Sequence, residues 1–392
     1  MTAAQRLALQ YVLLFGATGV SLPFAGLWFR AQGLTGAEIG IVLAAPMLAR
    51  VVTGPLSAVW ADGFRLRRTP IALLGLAMAL GYGGAGLVEG FLAQAACWFV
   101  GATAMGVLVP LTDVLNLRLS ARNGFSFALP RGAGSAAFVA ANIGIGALLL
   151  TAPVDAVIVW LVAASLALAA VAAALLPPEP VADGVGLSGR ERFRGLGELV
   201  ADPVFITAIF AVGAVQAAHA FQYGFSALLW KTQGISEAVT GQLWAFGVVC
   251  EIALMWLFEP WRRRAGIGPW PLLAAGAAIA VVRWGAMALA PPLWLLWPLQ
   301  ALHALTFAAT FLAGIQIVER LVPRESQTAA QMLSSVLSAG LLIGLATAVS
   351  GPLYDRYGAA GYWAMAVMAA AGLLACLPLR AQLARARGSG DR

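Results

Sequence analysis

Seven ionisable side chains stand inside long apolar runs of this sequence: Arg50, Asp113, Arg131, His219, Glu251, Arg283 and His303, which include both of its histidines. On insertion scales such a group costs about 2.5–3.5 kcal/mol in hydrocarbon, so it faces a bundle interior or an aqueous cavity. Two kinds of chemistry are open to the set. A guanidinium presents a planar fork that suits a carboxylate, and a carboxyl beside imidazole and guanidinium can take up and release a proton. Any single member can instead belong to a satisfied pair that pins two helices together. For the set as a whole, a polar pathway is the better account.

Spacing sorts the seven. Asp113 and Arg131 lie at equal distances either side of position 122, the middle of an expected turn. Equal distance along adjacent antiparallel helices means equal depth, so a direct pair is feasible. Gly134 and Ser135, at i+3 and i+4 from Arg131, leave room for a neighbouring helix or a ligand against its guanidinium. Arg283 and His303 flank the Pro291–Pro292 turn by comparable distances and so share roughly one depth, and Glu251 falls near mid-membrane, well removed from the Arg262–Arg264 cluster. His219 opens the run "HAFQYGFSALLW", where Gln222, Tyr223 and Ser226 follow at i+3, i+4 and i+7 on one helix face. This stripe is expected to face a cavity, with hydrogen bonding between helices as the alternative.

The elements that must carry these residues follow from composition. Of 392 residues, 61% are hydrophobic and 10% charged, against about 25% charged in ordinary globular domains. Apolar runs of about 20 residues cross the hydrocarbon core as helices, and twelve are expected, near 7–29, 37–60, 70–88, 91–115, 126–151, 155–177, 203–229, 238–258, 270–290, 293–316, 328–350 and 360–379. The first run is long enough to act as the first span, and Met1 is the expected start of the mature chain. With the N-terminus in the cytoplasm, most of the 24 Lys and Arg fall in cytoplasmic loops, the positive-inside pattern. Both termini are then cytoplasmic. The net charge of +7 reflects topology, and no nucleic acid partner is expected. Cys97, Cys250 and Cys376 have no paired spacing, so neither a metal site nor a disulfide framework is indicated.

The stretch "FRAQGLTGAEIG" at 29–40 returns 201 residues later as "WKTQGISEAVTG". Gln32/Gln233, Gly33/Gly234, Ala37/Ala238 and Gly40/Gly241 are identical pairs. Thr35 and Ser236 are expected as equivalent helix N-caps, with Glu38 completing a capping box in the first copy. The polar stretch "PPEPVADGVGLSGRERFRGLGELVAD" divides the spans six and six. The expected organisation is a six-helix bundle over 1–178, a cytoplasmic linker over 179–201 and a second six-helix bundle over 202–392. Parallel six-helix repeats are the layout of major facilitator transporters, whose substrate site lies between the halves. The repeat also makes Arg50 the counterpart of Glu251. Two further stretches touch gating: "GPLYDRYG" at 351–358, as much a turn and helix cap as a gate, and the degenerate "AVWADGFRLRR" at 58–68. Asp62 and Arg50 are the candidate gating residues, Arg50 either pairing with an acid or reaching to the membrane surface.

The stretches "LVPLTD", "RGAGSAAFV", "AHAFQYGFSALLW", "GVVCE", "VVRWG" and "LHALTF" each hold one of the ionisable residues. On them, and over nearly its whole length, the chain resembles the 3-phenylpropionate transporter family of the major facilitator superfamily, relatives of the lactose and oligosaccharide proton symporters. The resemblance implies an all-α membrane protein of the major facilitator fold, with 12 transmembrane helices in two pseudo-symmetric six-helix bundles, in the bacterial cytoplasmic membrane. It also implies import coupled to protons. By that similarity Asp113 and Arg131 take the substrate position, and Glu251, Arg283 and His303 form the proton path. Where family members carry Tyr-Gly and Trp around the arginine of span five, this chain has Phe125–Ser126 and Ala133, so that stretch lacks the aromatic platform beside Arg131.

The expected function is a proton-coupled symporter importing a small organic solute, an aromatic or other monocarboxylate such as 3-phenylpropionate. Arg131 would hold the anion and Asp113 tune or release it. His219, Gln222, Tyr223 and Ser226 would read the body of the ligand. Sugar or nucleoside symport is the runner-up, and multidrug export, which favours an acid in span one, comes third. An enzyme is not expected, since the loops hold neither an acidic cluster nor a histidine. The expected partners are a small solute, protons as the coupling ion and the lipid bilayer, with no other cofactor, and the expected state is a monomer.

Overall fold

A computed structural model describes residues 1–181, 196–322 and 327–390. Among them the chain is helical almost throughout, with one isolated bridge, Leu66 to Pro180, and no sheet. The helices are α1 Ala3–Ala31, α2 Gly36–Asp62, α3 Arg68–Leu87, α4 Phe91–Asn123, α5 Ala128–Leu148 and α6 Ala156–Ala174. They continue as α7 Pro203–Thr232, α8 Glu237–Arg264, α9 Pro269–Ala288 and α10 Leu293–Leu321. Next, α11 runs from Gln327–Ser335 through Val336–Leu342 to Ile343–Tyr357, and α12 is Tyr362–Gly390. By length and composition, 10 runs among the described residues suffice to cross a membrane. The last of these, Ala330–Leu383, turns back at Gly358–Gly361 and so holds two helices, and α5 is a further apolar helix of 21 residues. This is an all-α membrane fold, and its described helices are consistent with the twelve expected spans.

Some helices outrun the apolar stretches that announce them. α4 continues past position 115 to Asn123 and stops where Gly124 turns left-handed, at φ 69°. Hydropathy ends at the membrane surface, whereas a helix ends where a residue leaves the α region. The repeat forms the same turn twice. Gly33 and Gly234 sit at φ 87° and 79°, and the six-to-one bonds from Leu34 N to Phe29 O (3.1 Å) and from Ile235 N to Trp230 O (2.9 Å) close both helix ends alike. Thr35 and Glu38 then form a complete capping box, while Ser236 only accepts from Val239 N at 3.4 Å.

By its contacts the chain divides into two units. One is Met1–Gly184 with Tyr223–Ala245, the other Val185–Gln222 with Phe246–Arg392. In the first, α1 packs along α4, α5 and α6, and α3 packs on α4 and α6. Of the expected linker, residues 182–195 lie outside the described residues. Its first residues hold to the α2–α3 turn through Arg67 N to Glu179 O (2.9 Å) and Val181 N to Arg65 O (3.1 Å), and Arg122 meets Glu179 at 2.7 Å.

The end of α7 and the start of α8 join the first unit by close backbone approach. A Cβ on Gly26 would strike Gly224 O, one on Gly146 would strike Glu237 O, and one on Gly241 would strike Asn142 O. Only residues without a side chain allow helices to meet this way. Gly241→Leu is therefore expected to part this segment from α5. In a background with the native cysteines replaced, an Ala238→Cys reporter, packed on Gly146, should react several-fold faster with a thiol reagent when Gly241→Leu is added. An unchanged rate would mean the contact does not hold the segment.

In the second unit α9 packs on α12 and α10, and the first half of α7 packs on α12. Ala211, Leu273, Ala308, Ala309, Ala313 and Cys376 form its buried core. Two of these helices widen by a π turn just after an ionisable residue: Leu254–Phe258 follows Glu251 in α8, and Ala304–Ala309 follows His303 in α10. Such turns recur at functional sites.

Candidate functional site

In the first unit α1, α4 and α5 bring Tyr11, Phe15, Asp113, Asn116 and Arg131 together. Arg131 Nε approaches Asp113 Oδ1 at 3.3 Å, each side chain being 33% exposed. That is longer than the 2.7–2.9 Å of a charge-assisted hydrogen bond. The closest partner of the carboxylate is Tyr11, whose Oη donates to the same oxygen at 2.5 Å. Asn116 donates in turn to Tyr11 Oη at 3.4 Å and to Phe127 O at 3.0 Å. The guanidinium of Arg131 lies over the Phe15 ring at 4.3 Å and near the Tyr11 ring at 5.6 Å. Gly134 makes room for this, since a Cβ there would strike Phe15 and Tyr11. An aromatic platform beside Arg131 is thus present, supplied from α1 where the α5 sequence lacked one.

In the second unit Arg283 is fully buried and every one of its five N–H donors finds an acceptor. Nε donates to Leu299 O at 2.8 Å. Nη1 meets His303 Nδ1 at 3.1 Å and Thr306 Oγ1 at 2.9 Å. Nη2 donates to Gln222 Oε1 at 2.8 Å and Gln300 Oε1 at 3.1 Å. Its guanidinium also lies 4.3 Å from the Trp284 ring centre.

This arrangement assigns the imidazole tautomers, because arginine can only donate. Nδ1 of His303 must accept, so its proton sits on Nε2, which faces Glu251 Oε1 at 2.9 Å. His219 carries its proton on Nδ1, which stands 3.1 Å from both Val215 O and Gln216 O. Its Nε2 then accepts from Thr306 Oγ1 at 3.0 Å. The α7 backbone tightens here, with His219 N bonding Gln216 O, and the imidazole meets the carbonyl of Val215 that an α-turn would have used. Arg283, His303 and Glu251 therefore form one line across α9, α10 and α8, with His219 and Gln222 of α7 holding the arginine side.

The predicted stripe on α7 is accordingly divided. His219 and Gln222 are buried in the Arg283 network, and Ser226 is buried and accepts from Trp244 Nε1 at 3.1 Å. Tyr223 is half-buried, its ring 5.8 Å from Trp244. Arg50 is exposed on α2, and Asp62 ends that helix 4.0 Å from Arg67 Nη1. The "GPLYDRYG" stretch forms the end of α11, closing at Gly358 with φ 54°. A groove of about 900 Å³ where α1, α5 and α6 meet is walled by side chains such as Val12, Ala137, Ala140 and Ala163, and contains none of the ionisable residues.

Sequence reasoning missed Tyr11, Phe15, Asn116, Gln300 and Thr306. For the last two a signal existed: Gln300, His303 and Thr306 recur every third residue on α10, a stripe like that of α7.

A family model described as the MFS_1 like family matches residues 4–365. A probable 3-phenylpropionic acid transporter of Escherichia coli (strain K12) is 31% identical over 369 residues, covering 93% of this chain and 94% of that protein. Maltose permease of Geobacillus stearothermophilus is 28% identical over 358 residues, covering 88% and 86%. Among solved structures, the nucleoside transporter NupG superposes with a TM-score of 0.79 at 18% identity, over 97% of this chain and 99% of that one. A D-xylose-proton symporter gives 0.71 at 13% identity, over 96% of both chains.

Proposed function

The chain belongs to the MFS_1 like family of major facilitator transporters, multi-pass membrane proteins that are not enzymes, and from that premise we propose that it is a proton-coupled symporter importing a small monocarboxylate. The observation that carries this is the contrast between Arg283 and Arg131. The donors of Arg283 are all taken, whereas Arg131 is one-third exposed and, among the described residues, donates no full hydrogen bond to protein. A guanidinium held over a ring with its fork unspent suits an anionic ligand. The ring of Phe15 beside it, and the relative from Escherichia coli, support an aromatic carboxylate. Asp113 tunes that fork, and Tyr223 is the part of the α7 stripe left accessible to a ligand.

Glu251 carries the proton, with His303 and Arg283 setting its environment. The distribution of arginines supports cytoplasmic termini in a bacterial inner membrane.

Proteoliposomes holding a pH dye test the reading. On addition of 3-phenylpropionate the lumen should acidify beyond the level of protein-free liposomes, which report passive entry of the neutral acid, and Arg131→Ala should remove the excess. Acidification by maltose or a nucleoside in its place would move the substrate class to sugars or nucleosides. Labelled solute exchanging without any acidification would make the protein a uniporter or exchanger.

A further inference from the structure

Asp113 has two competing donors, and the shorter contact belongs to the neutral one. Tyr11 Oη lies 2.5 Å from Oδ1, while the guanidinium of Arg131 comes no nearer than 3.3 Å. An aspartate and an arginine at this range ordinarily close to a bidentate pair at 2.7–2.9 Å, which would occupy the guanidinium fork. Here Tyr11 is itself fully buried and held by Asn116 from α4, so its hydroxyl is fixed on the acid.

We infer that Tyr11 is a positioning residue that keeps Asp113 from clamping Arg131 and so leaves the Nη edge of the guanidinium to a carboxylate or similar planar oxyanion. The inference rests on the anion reading of Arg131 given above. Without the hydroxyl, the nearest donor to the carboxylate is Arg131 itself. Asp113 then closes on the fork, and a substrate anion must displace it. Phe15 holds the guanidinium plane in either case, so what Tyr11 controls is which edge is spoken for. An acid one hydrogen bond away from its arginine is also a means of release: when Asp113 turns from Tyr11 to Arg131, it competes with the bound anion.

Phenylglyoxal, which condenses with the two Nη nitrogens of an accessible arginine, reads that edge directly and needs no substrate. With the protein in lipid nanodiscs, Arg131 should label readily, as followed by peptide mass spectrometry. Tyr11→Phe should slow the labelling several-fold, and adding Asp113→Asn should restore it, because the amide cannot form the charged clamp. Equal or faster labelling in Tyr11→Phe overturns the inference.

Uptake of 3-phenylpropionate supplies the second readout. Tyr11→Phe should raise the Michaelis constant more than it lowers the maximal rate, and Asp113→Asn should cancel that rise. A rise that persists in the double variant means that Tyr11 touches the ligand itself, which also overturns the inference. Uptake indifferent to Arg131→Ala would sink the anion reading of the site, while the labelling result would still decide whether Tyr11 holds the acid.

Discussion

Arg283→Leu is expected to lower the thermal midpoint of the purified protein and to abolish transport, and the loss should exceed that of any other single change in the second unit. The side chain ties α7, α9 and α10 together through Gln222, Leu299 O, Gln300, His303 and Thr306. Hydrogen bonds between membrane helices are worth about 0.6 kcal/mol each on average, so five come to ~3 kcal/mol. The acceptors left behind are buried, which adds to the cost. Arg283→Lys separates stability from function. An ammonium has three donors at one point and cannot span His303 and both glutamines. Lysine should therefore recover part of the thermal stability and none of the accumulation, since it no longer fixes the His303 ring. Thermal scanning in detergent alongside uptake checks both. If Arg283→Leu melts like the wild type, the network is not what holds these helices.

Much of this site was legible because depth in a membrane is readable from residue counts. Asp113 and Arg131 stand at equal distance from a turn, and they meet; Arg283 and His303 stand at comparable distances from Pro291–Pro292, and they meet as well. The repeat paired Gly33 with Gly234, and both adopt the left-handed backbone that only glycine enters freely. Rotation about the helix axis was harder to read. A span that is apolar all round shows little of which face meets which neighbour, so Phe15 and Tyr11, two aromatics among many in α1, gave no sign that they would cover an arginine of α5. The departure at Ala133 suggested a bare guanidinium for the same reason. The ring over Arg131 belongs to another helix, α1, and not to its neighbours in sequence. For the stripe on α7, polarity alone does not tell a cavity wall from a seam between helices, and His219 and Gln222 lie in such a seam.

Glu251→Gln and His303→Gln should behave differently, although the two side chains touch. Arg283 donates to His303 Nδ1, so that nitrogen cannot bind a proton while the contact stands, and the remaining nitrogen already carries one toward Glu251. The imidazole is thus a fixed acceptor on one side and donor on the other. An amide has the same two functions, and in His303→Gln the oxygen can accept from Arg283 while the nitrogen donates to Glu251. That variant should keep proton-driven accumulation at reduced rate, whereas His303→Leu, which offers neither, should lose it. Glu251→Gln preserves shape and an acceptor for His303 but has no proton to exchange. It should fail to accumulate solute or acidify the lumen while still catalysing exchange of labelled for unlabelled 3-phenylpropionate. Accumulation and exchange measured side by side on the three variants decide the matter. If His303→Gln is as uncoupled as Glu251→Gln, the imidazole itself must take the proton, and Arg283 must let go of it during transport.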